Sequence, residues 1–142
     1  MKKRFFALLA VTVLIATGCS SSSDKAVDES VCGTEDGFCI GLVTDIGKVD
    51  DKSFNQSAWE GAQEAASING GFAKYVETQD PKDYAANIAL FAEAGYNVIV
   101  TVGFLMAEAT AVASEKYPDV KFIGVDQFNG GSSANYSGLI FP

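Results

Sequence analysis

The chain has 142 residues, with 10 basic residues against 18 acidic ones, no histidine and three cysteines. That balance excludes nucleic acid as a partner, since few side chains are free to neutralise phosphates, and a chain without histidine offers too few ligands for a zinc site. Setting aside the basic cluster Lys2, Lys3 and Arg4 leaves seven basic residues and a net charge of about −11, which favours solubility but names no ligand.

The basic start is followed by an apolar run over residues 5–16 and then Thr17, Gly18 and Cys19, the order of a secretory signal. The run is shorter than the roughly 20 residues of a spanning helix. Residues 1–18 are therefore excluded from the fold. The stretch Leu14-Ile15-Ala16-Thr17-Gly18-Cys19 resembles a bacterial lipobox. That resemblance implies that Cys19 is lipidated and becomes the first residue of the mature protein; the alternative is a cysteine lost with the signal. Several acyl chains would be needed, because one gives only marginal membrane binding. Residues 19–36 then form the lipidated cysteine and a Ser-rich stalk.

Cys32 and Cys39 remain after processing, in a compartment where disulfides persist. A bridge closing the loop 33–38 is their expected fate, the alternative being two buried or free thiols. A redox motif would have two intervening residues instead.

Residues 37–142 form the globular part, and their apolar end at Leu139-Ile140-Phe141-Pro142 is read as the end of an incomplete lobe. Near-continuous apolar runs predict strands over 38–44, 72–77, 97–102 and 120–125, as in a parallel sheet buried on both faces. Three helices are predicted between them. The first, over 55–68, places Ala58, Ala62, Ala65 and Ala66 on one face and stops before Asn69-Gly70-Gly71. The second starts at Pro81, carries Tyr84, Ile88 and Phe91 or Ala92 at helical spacing, and ends at Gly95; the third covers 106–117, ahead of Pro118. Strand-helix-strand repeats of this kind imply right-handed crossovers and an α/β fold, a Rossmann-like parallel sheet with helices on both faces. Ligands of such sheets bind at the carboxyl ends of the strands, beside the reversal in strand order.

The strand ends carry Asp45, then Asp50-Asp51-Lys52-Ser53-Phe54-Asn55, then Gly103-Phe104, and finally Asp126. Aromatic faces and carboxylates converging on one sheet edge suit a flat base joined to a sugar: the ring stacks and the carboxylates accept from hydroxyl or N–H donors. Each residue has a plainer alternative. Asp45 could brace its loop, Phe54 could staple the helix to the core, Phe104 could pack inward, and Asp126 could cap the turn at Asn129-Gly130-Gly131. Asp50 and Asp51 read as solvated charge or caps for the first helix.

Val43-Thr44-Asp45-Ile46-Gly47, Asp50-Asp51-Lys52-Ser53-Phe54-Asn55, Trp59-Glu60-Gly61, Thr101-Val102-Gly103-Phe104 and Tyr117-Pro118-Asp119-Val120-Lys121-Phe122 resemble, in order, segments of the basic membrane protein (BMP) family. The resemblance runs from about Phe38 to the end of the chain. It implies a substrate-binding lipoprotein of an ABC importer, of periplasmic-binding-protein type I fold, whose characterised members bind purine or other nucleosides between two lobes. On that resemblance Asp45 would hydrogen-bond the nucleoside and Phe54 would stack on its base. Asn55 and Asp126 would line the same lobe, and Gly103 would let the backbone approach; Phe104 stays a candidate from its place at the strand end alone. The implied partners are a nucleoside, the permease and ATPase of the importer, and the membrane through Cys19, on its extracytoplasmic face. No cofactor and no metal are implied.

An enzyme is the rival class, with Asp45, Asp50 and Asp51 as acid-base or metal-binding groups. The mature part has no histidine or arginine to support a nucleophile, so catalysis is not expected. A sensory or interaction lipoprotein, or a binder of another solute such as a sugar, remains the alternative.

Overall fold

A computed structural model describes residues 27–131 and 133–141. The signal segment, Cys19 and the serine tract lie outside them. Five strands, β1 (Cys39–Ile46), β2 (Phe72–Thr78), β3 (Val98–Val102), β4 (Lys121–Val125) and β5 (Tyr136–Leu139), alternate with α1 (Phe54–Ile68), α2 (Tyr84–Glu93) and α3 (Ala107–Lys116), α3 being followed by the last two strands. All pairings are parallel, in the order β2-β1-β3-β4-β5. Strand order therefore reverses between β1 and β3, which places the crevice of the fold there.

Alternation along the strands divides the core in two. Cys39, Val43, Ile99 and Phe122 point to one face and pack with Tyr84, Ile88 and Phe91 of α2 and with Ala113 of α3. Ile40, Leu42, Val100, Val102 and Val125 point to the other, under Ala62 and Ala66 of α1. Helices thus cover both faces, as the apolar strands predicted. The alanines of α1 allow its close approach. At Gly41 it is the sheet that makes room, because a Cβ there would enter the Phe91 ring.

Three local differences from the sequence reading have physical causes. The Asp80 carboxylate accepts from the Lys82 N–H, so Pro81–Asp83 winds into a 3-10 turn and α2 begins only at Tyr84. A similar turn, Phe104–Met106, precedes α3. The fifth strand, β5, was not foreseen. Its Tyr-Ser-Gly-Leu segment is too short and too mixed to show a period, and pairing with β4 defines it.

The opposite, amino-terminal edge of the sheet is tied to the segment before β1. A 3-10 turn at Glu29–Val31 lies there, and Cys32 is bonded to Cys39 with their Cα atoms 5.5 Å apart. Glu29 accepts from Lys74 Nζ at 2.7 Å and from the Tyr96 hydroxyl at 2.8 Å. Part of the segment assigned from composition to the stalk therefore packs against the lobe.

Candidate functional site

The carboxyl ends of β1, β3 and β4 come together by register. Thr44 pairs with Val102 and Val102 with Val125, so the next residues, Asp45, Gly103 and Asp126, stand side by side. Gly103 has φ +104°, a backbone region closed to most side chains, and a Cβ there would collide with the Asp45 carboxylate. Glycine is thus what allows the half-buried Asp45 to sit against β3. A bulge in the β1–β2 ladder between Val43 and Ile46 coincides with this position, a common device for re-aiming a side chain at a strand end.

Burial lifts the Asp45 carboxyl above the ordinary aspartate range, and the charge of Asp51 lifts it further. Among the described residues its carboxylate accepts no hydrogen bond. It is a partly hydrated acceptor at the sheet edge.

Asp51 has a different role. Its oxygens accept from the backbone N–H groups of Ser53 at 2.8 Å, Gln56 at 3.1 Å and Asn55 at 3.2 Å. Burial acts to raise this carboxyl, but the three donors outweigh it and hold the group below its usual value. Asp51 therefore caps α1, as the sequence favoured, and occupies the N–H groups at the helix start.

Asn55 is buried in the first turn of α1. Its Nδ2 donates to the Lys48 carbonyl at 3.2 Å, which pins the loop 47–53, while its Oδ1 is buried without a donor among the described residues. Glu77 holds the same loop from β2, accepting from Val49 N at 2.9 Å and Lys48 Nζ at 3.0 Å. Phe54 is the first residue of α1 and 43% exposed, so it does not staple the helix to the core; its ring lies 5.3 Å from that of Phe141. Phe104 is 67% exposed and does not pack inward.

Asp126 adopts φ +57°, and Lys52 does the same in the loop after β1. Left-handed non-glycine residues are uncommon and often mark functional sites. The turn after β4 is braced by Asn129, which accepts from Gly131 N and donates to the Tyr136 carbonyl, and not by Asp126.

Sequence reasoning missed two features. One is a buried polar network beneath Gly103. Gln127 donates to the carbonyls of Gly103 at 3.0 Å and Thr101 at 3.2 Å and accepts from the Tyr136 hydroxyl at 2.8 Å, while Thr101 shares a 2.8 Å bond with Thr110. Its signal was a set of polar residues in apolar surroundings, whose purpose only the fold shows. The other is Tyr84, buried, whose hydroxyl makes no well-formed hydrogen bond among the described residues. In sequence it reads as a core residue of α2.

The site is therefore an open sheet edge carrying exposed aromatic rings, a half-buried carboxylate and, in Asn55 Oδ1, a buried acceptor without a donor among the described residues. An open parallel sheet with helices on both faces places a ligand site at its strand-order reversal, an arrangement shared by solute-binding proteins. Consistent with this, the chain superposes on an ABC transporter system solute-binding protein of Aeropyrum pernix with a TM-score of 0.64 and 25% identity, over 71% of this chain and 28% of that one.

The family is defined by sequence. The model of the family described as ABC transporter substrate-binding protein PnrA-like matches residues 40–141, and the chain belongs to that family. It is 36% identical over 137 residues to a CD4+ T-cell-stimulating antigen of Listeria monocytogenes, covering 89% of this chain and 38% of the relative. It is 32% identical over 133 residues to the ABC transporter nucleoside-binding protein BmpA of Lactococcus lactis, covering 89% and 37%. The chain thus spans well under half the length of the relatives it matches.

Proposed function

We propose that this chain is the amino-terminal lobe of an extracytoplasmic, lipid-anchored solute-binding protein that delivers nucleosides, purines above all, to an ABC permease and its ATPase. The observation that carries the ligand class is the placement of the half-buried Asp45 carboxylate at the end of β1, where strand order reverses, with the exposed ring of Phe54 at the start of the helix that follows. A flat base needs a ring face, and its ring N–H groups or sugar hydroxyls need acceptors; the half-buried Asp45 carboxylate is one, and Asn55 Oδ1 is buried without a donor among the described residues. The name of the Lactococcus relative supports the same ligand.

In this reading Phe54 stacks on the base, Asp45 and Asn55 accept from it, Gly103 brings the backbone close, and Phe104 and Asp126 line the rim. A second lobe, carried in the longer polypeptide that the relatives' lengths imply, covers the cleft. Cys19 holds the protein to the membrane, and no step of catalysis is assigned.

Isothermal titration of guanosine, inosine, adenosine, uridine and ribose into the two-lobed polypeptide tests the proposal. Binding of guanosine or inosine well ahead of ribose is expected. Preference for ribose would replace the nucleoside with a sugar, and binding of none would favour a sensory or interaction lipoprotein. Mass spectrometry of the membrane-extracted protein tests the anchor: a mature chain lacking acyl groups on Cys19 would remove it.

A further inference from the structure

The two rings that meet at the carboxyl edge come from distant parts of the chain. Phe54 opens α1, in the segment that follows β1, and Phe141 stands two residues beyond the end of β5. Their centroids are 5.3 Å apart and their planes are tilted by 49°, a geometry that favours aromatic pairs. β3 and β4 lie between β1 and β5, so the strands that supply the rings are separated by roughly 14 Å of sheet at the ordinary strand spacing. The chain leaving β5 therefore turns toward α1, on the side of the strand ends where Asp45, Gly103 and Asp126 stand in a row.

The backbone is held on both sides of this contact. Gln127 N donates to the Leu139 carbonyl at 3.1 Å, which fixes the exit from β5 and limits Phe141 to the reach of two residues. Asp51 accepts from the N–H groups of Ser53 and Asn55, the two neighbours of Phe54. What remains free is the Phe54 side chain. It is 43% exposed and Phe141 is 48% exposed, and neither ring belongs to the two halves of the core. The contact therefore adds little to the fold. A half-exposed ring at a helix start turns about its side-chain bonds, and a neighbouring ring that restricts it prepares a stacking surface before any ligand arrives.

We propose that Phe141 is a positioning residue for Phe54: it packs against that ring and holds its plane for the flat base of the ligand. This inference rests on the nucleoside reading above.

The test is guanosine titration of the two-lobed polypeptide carrying Phe141→Ala, Phe141→Tyr, Phe54→Ala, or Phe54→Ala together with Phe141→Ala, with the ligand-free melting temperature measured alongside. Phe141→Ala should weaken guanosine about two- to tenfold, the scale of an aromatic pair, while the melting temperature stays close to that of the unaltered protein. Phe141→Tyr keeps the ring and should keep affinity within about twofold. In the Phe54→Ala background Phe141→Ala should alter affinity less than about twofold, because the ring it positions is gone. Equal losses in both backgrounds, a loss that only tracks a fall in melting temperature, or affinity kept in Phe141→Ala or in Phe54→Ala would each overturn the proposal. If Phe54→Ala binds too weakly to titrate, the H8 proton signal of guanosine bound to the saturated protein decides. A ring stacked on the base shifts that signal upfield; the shift should change in Phe141→Ala and return in Phe141→Tyr, and an unmoved signal overturns the role. An unaltered protein that binds no nucleoside removes the ligand reading and this inference with it, whereas a binding protein indifferent to Phe141→Ala removes this inference alone.

Discussion

The two ends of the sheet are built on opposite principles. At the amino-terminal edge the polar groups that meet are paired: Glu29 accepts from Lys74 and Tyr96, Asn97 Oδ1 accepts from Cys39 N at 2.7 Å, and Cys32 is bonded to Cys39. At the carboxyl edge lie Asn55 Oδ1 and Tyr84 Oη, the buried side-chain atoms without partners among the described residues. The same edge holds the left-handed Lys52 and Asp126 and the exposed rings of Phe54, Phe104 and Phe128. A lobe of this size could have satisfied both ends. Local rules broken at one end only mark where something else is meant to arrive.

The largest expected effect separates the ends by stability. Replacing Cys32 and Cys39 together with serine opens a loop of sequence separation 7, and loop-closure entropy sets the loss at about 2–3 kcal/mol in chemical denaturation. Ligand affinity should be untouched, because the bond lies at the far end of the sheet. A comparable loss of affinity would show that the two ends are coupled and break the contrast.

Asp45→Ala should do the reverse. In the proposed site, removing the acceptor would strand ligand donors and weaken the binding of guanosine to the two-lobed polypeptide by about 1–3 kcal/mol, read by titration calorimetry, with no loss of ligand-free stability. Wild-type affinity in this variant would remove Asp45 from the site.

Asp51→Ala sharpens the boundary, since Asp51 sits at the functional end but does structural work. Loss of a cap that accepts three backbone N–H bonds should cost about 1 kcal/mol in denaturation. The same change removes a negative charge near Asp45, so the Asp45 carboxyl should titrate closer to its ordinary value, measurable from its carboxyl carbon shift.

Much of this division was legible in the sequence. The apolar runs placed β1 to β4, and the topology that follows brings Asp45, Gly103 and Asp126 to one edge. Phe54 and Asp51 could be given candidate roles because their spacing from the helix start limits what each can reach. What escaped was set by tertiary contact. β5 has too little period of its own, Gln127 shows its purpose only once three strand ends surround it, and Tyr84 looks like any apolar position of an amphipathic helix. A hydroxyl's missing partner has no signature in the order of residues.

The smallest effect is the most direct measure of what the incomplete end costs. The folded Asp45 carboxyl titrates above the unfolded one, because burial and the Asp51 charge disfavour its ionised form. The native state therefore holds a proton that the unfolded chain has already lost, so this contribution is fully present below the ordinary aspartate value and is lost as pH rises through the raised one. Glu29 and Asp51 have the opposite sign: their lowered carboxyls add stability above the ordinary values and lose it as pH falls. Asp45→Asn removes the first contribution and leaves Glu29's in place. The ligand-free melting temperature of the variant, minus that of the unaltered protein, should rise across the window between the ordinary and raised Asp45 values and stay level above it. The rise should be smaller than the effect of losing the α1 cap, because the half-exposed carboxylate keeps part of its hydration. A difference that is flat across the window would mean that Asp45 ionises without cost in the empty site, and the contrast between the two ends would then rest on Asn55 and Tyr84 alone.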